Sequence, residues 1–398
     1  MKIQCKSRPF VEAVSLVSSV VSPNPTRPVL QSLYVSVVER GLFVQGTDLE
    51  VGLSVRVDEV LVGRTGDFVV SAARLNAVAR ELHDEQLSLE LAPNGDSLEI
   101  KSGRSQFRLP CSSPEEYPRL TFPESKPQVR LHRKTFLDLL RKVSVAAAKD
   151  ATRYQMHSVL FDCQEHSVRL VSTDGKRLAL ANCQAQYESA GQNEKKSAPG
   201  TDASSVEKMP VAIASSQHII PLKGVDLIVR ILSFEDAEFA AFNLSTKDIC
   251  YVSDRVSLSC NLVEGKFPPY ERALPPAAER IYGISSQELL IALRQASLMT
   301  TKDTNSVQFQ FDADKLVIST QAATLGESRI ELTTDVLRAA SPQFFITFNP
   351  GYLIDLLKVS DGLPVALSIV DRKTAGSFTF KGLEDSYRHI VMPLVTDE

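Results

Sequence analysis

One helical phrase is written three times in this chain. The stretch HRKTFLDLLRKVSVAAAK (132–149) returns as SSQELLIALRQASLMTTK (285–302), and both echo RPFVEAVSLVSSV (8–20). Without a gap, Phe10, Val14, Val17 and Ser18 fall under Phe136, Leu140, Val143 and Ser144, and again under Leu289, Leu293, Ala296 and Ser297. The i, i+4, i+7 spacing sets three apolar side chains on one face of a helix. A chain that repeats such a helix folds as an array of similar units, because each copy needs its own partner surface to bury that face.

Strands follow each copy. In the first third they read SLYVSVV and GLFVQGTDLEVGLSVRV, in the middle third SVLFDC and SVRLVSTDGKRLALANC, and in the last SVQFQFD and KLVISTQAATLGESRIELTT. Their period-2 alternation predicts antiparallel strands with one face on a core. A second helix then appears in each third, at 71–82, 221–232 and 349–360. Ser71, Pro221, and Asn349 followed by Pro350, are residues suited to a helix start. More strands close each third. The reading is an α+β protein of three similar domains, each helix, strands, helix, strands. Pro-rich stretches at 111–127 and 264–279 mark the joins, giving domains 1–125, 126–276 and 277–398. The polar segment at 186–210, nearly free of large apolar residues, reads as a mobile insertion in the middle domain.

Several function classes lose support on composition and motif. No apolar run approaches the roughly 20 residues of a membrane span. The N-terminal FVEAVSLVSSVV is broken by Glu12 and keeps helical spacing, so it reads as an amphipathic helix and not as a secretory signal. Six cysteines without CxxC spacing fit reduced thiols in a cytoplasmic protein, and Cys163, His166 and Cys183 lack the close pair that would anchor a metal. Asp48 and Asp174 sit in equivalent Thr-Asp turns of separate repeats, which favours a turn role over a carboxylate pair. Neither a Walker loop nor an HExxH or GxSxG pattern is present, so no catalytic residue, metal or cofactor is expected. Net charge is −4, yet basic residues dominate the outward stripes of the repeated helices: Arg74, Arg80, Arg133, Lys134, Arg141, Lys142, Lys149, Lys223, Arg230, Arg294, Lys302 and Lys358. Such stripes are either merely solvated helix faces or a DNA-facing surface, and the latter would meet DNA through phosphates and not base edges.

GTDLE (46–50), SGRSQF (102–107), STDGKRLAL (172–180), HIIPLKGVDLIVRIL (218–232), GKFPPYERALP (265–275), FNPGYLIDLL (348–357) and YRHIVMPL (387–394) stand in order along the chain. Together they resemble the bacterial sliding clamp family, the beta subunit of DNA polymerase III. The resemblance implies a non-catalytic, head-to-tail homodimeric ring, helices inside and sheets outside. Such a ring encircles duplex DNA and tethers the polymerase catalytic subunit, the clamp loader, and other polymerases and repair proteins through short Leu/Phe motifs.

Carried over residue by residue, the resemblance implies a partner-peptide pocket of Met156, Thr173, Gly175, Lys176, Arg177, Leu178, Pro268, Arg272, Ala273, Asn349, Tyr352, Ala375, Ser377, Ile390, Met392, Pro393 and Leu394. It implies DNA contacts at Arg27, Arg74, Lys149, Arg153, Tyr154 and Lys223, and a subunit interface of Arg104, Phe107 and Leu109 against Leu298, Met299 and Glu327. The chain departs from the family pattern at Lys176, where His is common, at Gln155, where a second Tyr is common, at Asn24, and in its acidic VTDE ending.

Overall fold

The computed structural model describes residues 1–123, 126–150, 152, 154–187, 216–301, 305–312, 314–322, 325–338 and 343–394. Arg153, Lys302, the VTDE ending and nearly all of the 186–210 insertion lie outside these described residues. Six α-helices are present among the described residues: α1 (Ser7–Ser18), α2 (Ala72–Arg80), α3 (Arg133–Ser144), α4 (Leu222–Phe234), α5 (Ser286–Ser297) and α6 (Pro350–Lys358). The three copies of the repeated phrase, α1, α3 and α5, each have 12 residues and end on the shared serine. Their nine aligned apolar side chains are all buried to 1% exposure or less, so the stripe read from spacing is the packed face. Ser285 caps α5 by accepting from the Glu288 amide at 3.4 Å, and Asn349 caps α6 by accepting from Gly351 at 2.9 Å.

The chain divides into two compact units that cut across the sequence thirds. One holds Met1–Arg130, Tyr187–Val211 and Asp226–Leu262; the other holds Leu131–Gln186, Ala212–Val225 and Val263–Glu398. The cause is strand pairing. In the first unit, Val51–Val57 of the first third pairs antiparallel with Val256–Asn261 of the middle third, Val51 opposite Cys260 and Val55 opposite Val256. In the second, Arg177–Tyr187 pairs with the C-terminal strand Tyr387–Val391, Arg177 opposite Val391 and Ala181 opposite Tyr387. The two halves of the middle third thus complete the sheets of different neighbours.

Within each unit α1 packs against the Gly41–Thr47 and Val51–Val57 strands, and α5 against Lys315–Ala322 and Gly326–Thr333. Short strands precede the repeated helices at Lys2–Lys6, Val129–His132 and Arg280–Ile284, which the sequence pattern did not separate from the helices behind them. Where a strand runs close under a repeated helix, two repeats solve the contact differently. A Cβ on Gly46 would lie 2.7 Å from Val17 Cγ1, while at the matching position Ser172 donates its hydroxyl to the Val143 carbonyl at 2.5 Å.

The Thr-Asp turns superpose bond for bond. Thr47 donates to the Val51 carbonyl (2.8 Å) and accepts from the Leu49 amide (3.0 Å), while Asp48 accepts from Glu50 and Val51. Thr173 donates to the Arg177 carbonyl (2.7 Å) and accepts from Gly175 (3.0 Å), while Asp174 accepts from Lys176 and Arg177. The turn role expected for both aspartates holds. Its third residue must be left-handed: φ is +88° at Gly175 and +78° at Leu49. Leucine pays about 1 kcal/mol or more in that region, less the extra chain entropy glycine loses on folding. Leu49→Gly is therefore expected to stabilise the chain by about 0.5–1 kcal/mol, read as a raised urea midpoint at unchanged slope. A lowered midpoint would show that the half-exposed leucine contributes more by packing than it costs in strain.

One residue assigned to the outward basic stripe is not there. Lys142 is 1% exposed, its ammonium held by Asp138 and, at 2.7 Å, by Asp361. It sits one turn past Asp138 on α3, where the long stem follows the buried face and only the tip reaches the carboxylates.

Candidate functional site

The strand that follows the second Thr-Asp turn builds two surfaces at once. Successive side chains point to opposite faces, so Arg177 turns toward α6 while Leu178 turns away. Leu178 enters an apolar cluster with Leu160, Val171, Ile219, Phe267, Tyr270, Ala375 and Ile390, edged by Leu180, Val263 and Leu274. The C-terminal strand fixes this arrangement. Leu178 lies opposite Ile390, Ile390 lies opposite Ser377, and the Met392 amide donates to the Lys176 carbonyl at 2.9 Å. Beyond it Leu394 donates to the Thr347 carbonyl at 2.8 Å. Met392 and Leu394 remain 47% and 37% exposed, so adaptable apolar side chains rim a floor that is already buried.

On the other face lies a cleft of about 610 Å³ lined by Ala148, Lys149, Asp174, Lys176, Arg177, Asn349, Tyr352, Asp355 and Lys358, among others. Its centre is the Arg177 guanidinium, whose side chain is 2% exposed. Arg177 donates to Asp174 at 3.0 Å and to Asp355 at 3.2 Å, and its carbon lies 4.8 Å from the Tyr352 ring centre. Arginine suits this position because its planar fork serves two carboxylates and a ring face together. Lys149 reaches Asp355 at 3.2 Å and Lys358 reaches it at 3.5 Å. Burial pushes the Asp355 carboxyl up, but the hydrogen bond from Lys149 and the charges of Arg177 and Lys149 outweigh it and hold the group below the usual carboxylate range. Burial, aided by the Asp174 charge, raises the Tyr352 phenol.

Because its folded value is depressed, Asp355 contributes stability above the ordinary carboxylate pKa of about 4, and that contribution is lost as the pH falls through its own lower value. Asp355→Asn should therefore cost stability at pH 7 and little at pH 2, measured as the gap between urea midpoints of variant and parent. A gap independent of pH would contradict the ion-pair account.

Behind the cleft the C-terminal strand carries a buried polar pair. Tyr387 donates to the Lys142 carbonyl at 3.1 Å and lies 3.2 Å from His389 Nδ1, so with the hydroxyl proton committed to the carbonyl the Nδ1–H donates to Tyr387; among the described residues Nε2 has no hydrogen-bond partner. Burial, then the Arg177 charge, takes the imidazole down to about 3. His389 is neutral at any ordinary pH.

The residues expected in a partner pocket thus divide. Thr173, Arg177, Leu178, Ala375, Ser377, Ile390 and Pro393 are buried, with Gly175 and Lys176 exposed on the turn above them. Asn349 and Tyr352 belong to the cleft. Pro268 is half-buried beside Phe267, and Arg272 and Ala273 are exposed on the short helix Tyr270–Ala273. Met156 is half-buried and its carbonyl accepts from the Ala148 amide at 2.9 Å. The sequence reading missed Asp355, Asp174 as an Arg177 partner, and the Phe267 and Tyr270 side of the cluster. Asp355 follows Tyr352 by three residues on α6, a helical neighbour that spacing alone would have found.

Other expected residues are spread over both units. In the first, Arg27, Arg74 and Arg104 are exposed and Phe107 is half-buried, while Leu109, opposite Leu98, is 8% exposed and faces its own core. In the second, Tyr154 and Leu298 are 72% and 74% exposed, Glu327 is exposed and Met299 half-buried. Lys149 is open to solvent although ion-paired, and Lys223 is half-buried. The outer edge of Ser105–Ser112 up to Leu109 and that of Gly326–Thr333 carry no strand partner among the described residues.

Family models for the DNA polymerase III beta subunit match the chain in three places: the N-terminal domain at 1–121, the central domain at 130–200 and the C-terminal domain at 271–394. The chain belongs to the DNA polymerase III beta subunit family. Its similarity to the beta sliding clamp of Pseudomonas putida is 26% identity over 97% of both chains, and to that of Haemophilus influenzae 26% over 99% of this chain and 100% of the other. Among solved structures, the beta subunit of Thermotoga maritima superposes with a TM-score of 0.85 at 22% identity, and the sliding clamp of Bacillus subtilis with 0.84 at 20%, each covering both chains fully. The three similar domains read from the repeats, and the clamp fold that the resemblance implied, are the fold of this family, whose members are non-catalytic sliding clamps that give a polymerase its processivity.

Proposed function

We propose that the chain pairs head to tail with a second copy to close a ring around duplex DNA. On its outer face it would tether the polymerase catalytic subunit, a separate ATP-driven loader and repair proteins. The slot formed by Leu178, Ile390, Met392 and Leu394, next to the Arg177 cleft, is read as the receptor for their short Leu/Phe motifs. The observation that carries this is the single strand that turns Leu178 to an apolar floor and Arg177 to a charged cleft. A linear motif needs both: anchors to bury and a fixed cation to orient a polar or acidic flank. Domain limits at 125 and 276 belong to the same reading. So do DNA contacts by Arg27, Arg74, Lys149, Arg153, Tyr154 and Lys223, which would hold phosphates weakly enough for sliding. Arg104, Phe107 and the strand edge at Leu109, whose side chain faces inward, would meet Leu298, Met299 and Glu327 across the subunit joint.

Sedimentation equilibrium tests the joint. The parent chain is expected to run at twice its chain mass at micromolar concentration. Leu298→Asp should raise the dimer dissociation constant about 100-fold, as loss of an apolar anchor does. A monomeric parent would defeat the ring.

A further inference from the structure

The joint between Val51–Val57 and Val256–Asn261 repeats, register for register, the joint that carries the Leu178 slot. Tyr34 lies opposite Val69 and Gln45, as Leu160 lies opposite Ile219 and Val171. Gln45 lies opposite Ser54 as Val171 lies opposite Leu180, and Thr47 opposite Gly52 as Thr173 opposite Leu178. Across the joint Gly52 meets Ser259 where Leu178 meets Ile390. The same floor positions are therefore filled by Tyr34, Gln45, Ser54, Gly52 and Ser259, a more polar set. The place of the Leu178 side chain is taken from outside: Leu120 lies on Gly52 so closely that a Cβ there would be 2.7 Å from Leu120 Cδ2.

What remains is an open groove of about 400 Å³. Tyr34 and Tyr117 stack in its wall with ring centres 5.7 Å apart, and Phe43 and Phe122 add apolar surface. Arg40 lies 6.0 Å from the centre of the Phe43 ring, and Arg119 stands with it in the lining. Among the described residues neither arginine has a carboxylate partner. Asp67, the groove's one acid, accepts from the Ser36 hydroxyl at 2.7 Å.

We propose that this groove is a second docking site, for a short acidic peptide segment of a partner protein carrying one aromatic or aliphatic anchor. The anchor lies against Tyr34 and Phe43, an acidic side chain pairs with Arg119 or Arg40, and a backbone N–H of the peptide meets Asp67. Single-stranded nucleic acid would also find stacking rings and cations here, but it brings a phosphate at every nucleotide and has no backbone donor for the Asp67 carboxylate, whereas a peptide can set its acid on an arginine and turn an N–H to Asp67, which favours a peptide. The inference rests partly on reading the Leu178 slot as a peptide receptor, so the test reports the two sites separately.

The probe is a fluorescein-labelled hexapeptide containing two aspartates, leucine and phenylalanine, titrated onto the full chain. Two peptides per chain are expected. Arg119→Glu, on an exposed side chain, should weaken one class about tenfold and leave the other unchanged, and Met392→Arg should do the reverse, as charge and anchor losses at separate sites do. A probe with lysines in place of the aspartates should regain affinity for Arg119→Glu. One peptide per chain, lost in Met392→Arg alone, overturns the second site, as does no binding that depends on Arg119. An oligothymidylate that binds in an Arg119-dependent way, where the hexapeptide does not, overturns the peptide assignment. Loss of only the Met392-dependent class from the parent leaves the groove standing and removes the slot reading.

Discussion

Arg177→Ala is expected to destabilise the chain by about 3 kcal/mol and to abolish binding of a Leu/Phe motif peptide. The guanidinium is almost fully buried and serves Asp174 and Asp355 together. Removing one partner of a buried ion pair costs ~3–5 kcal/mol because the other charge is left desolvated, and the partial exposure of Asp355 places the effect at the lower end. The loss is not additive. In the Asp355→Asn background Arg177→Ala should cost at least about 1 kcal/mol less, because one of the two charges it would strand is gone while Asp174 remains. Arg177→Lys should recover little, since a single ammonium cannot span two carboxylates and stack on Tyr352. Urea unfolding of the parent, the three single variants and the double variant checks this. Equal costs of Arg177→Ala in both backgrounds would mean that Arg177 acts through packing and not charge.

Phe136→Ala is expected to cost about 3–5 kcal/mol, the usual range for an aromatic removed from a core. Phe136 is 1% exposed and stands edge-on to Phe161, ring centres 6.1 Å apart. The equivalent Leu289→Ala on α5 should cost about 2–5 kcal/mol, as the same stripe carries the same burial there. Effects below about 1 kcal/mol at both positions would mean that the repeated stripes are not core.

The repeat was legible because burial imposes a period. Every aligned apolar position of α1, α3 and α5 is inside, and the Thr-Asp turns kept their hydrogen-bond pattern even where leucine replaced glycine. The short strands ahead of the helices were not legible: Lys2–Lys6 alternates only Ile3 and Cys5 inward over five residues, too few to show a period beside a strong helix. Nor were the compact units, since a strand's partner across a domain join depends on tertiary register and not on local pattern. At the site, Leu178 and Ile390 carried apolar signals, whereas the Arg177, Asp355 and Lys149 cluster joins residues far apart in sequence whose charges look like ordinary surface. Lys142 failed as an outward residue for the same reason: a charge on a helix says nothing about which way its stem runs.

The central claim is topological, and retention on circular against linear DNA tests it most directly. The purified chain is loaded onto nicked plasmid with a cognate loader and ATP, the plasmid is linearised, and protein is followed by gel filtration at high salt. A ring held by linkage stays on the circle at a salt concentration that removes phosphate-bound protein, and it leaves once the circle is cut. Equal retention before and after cutting would mean ordinary phosphate binding and would contradict the ring.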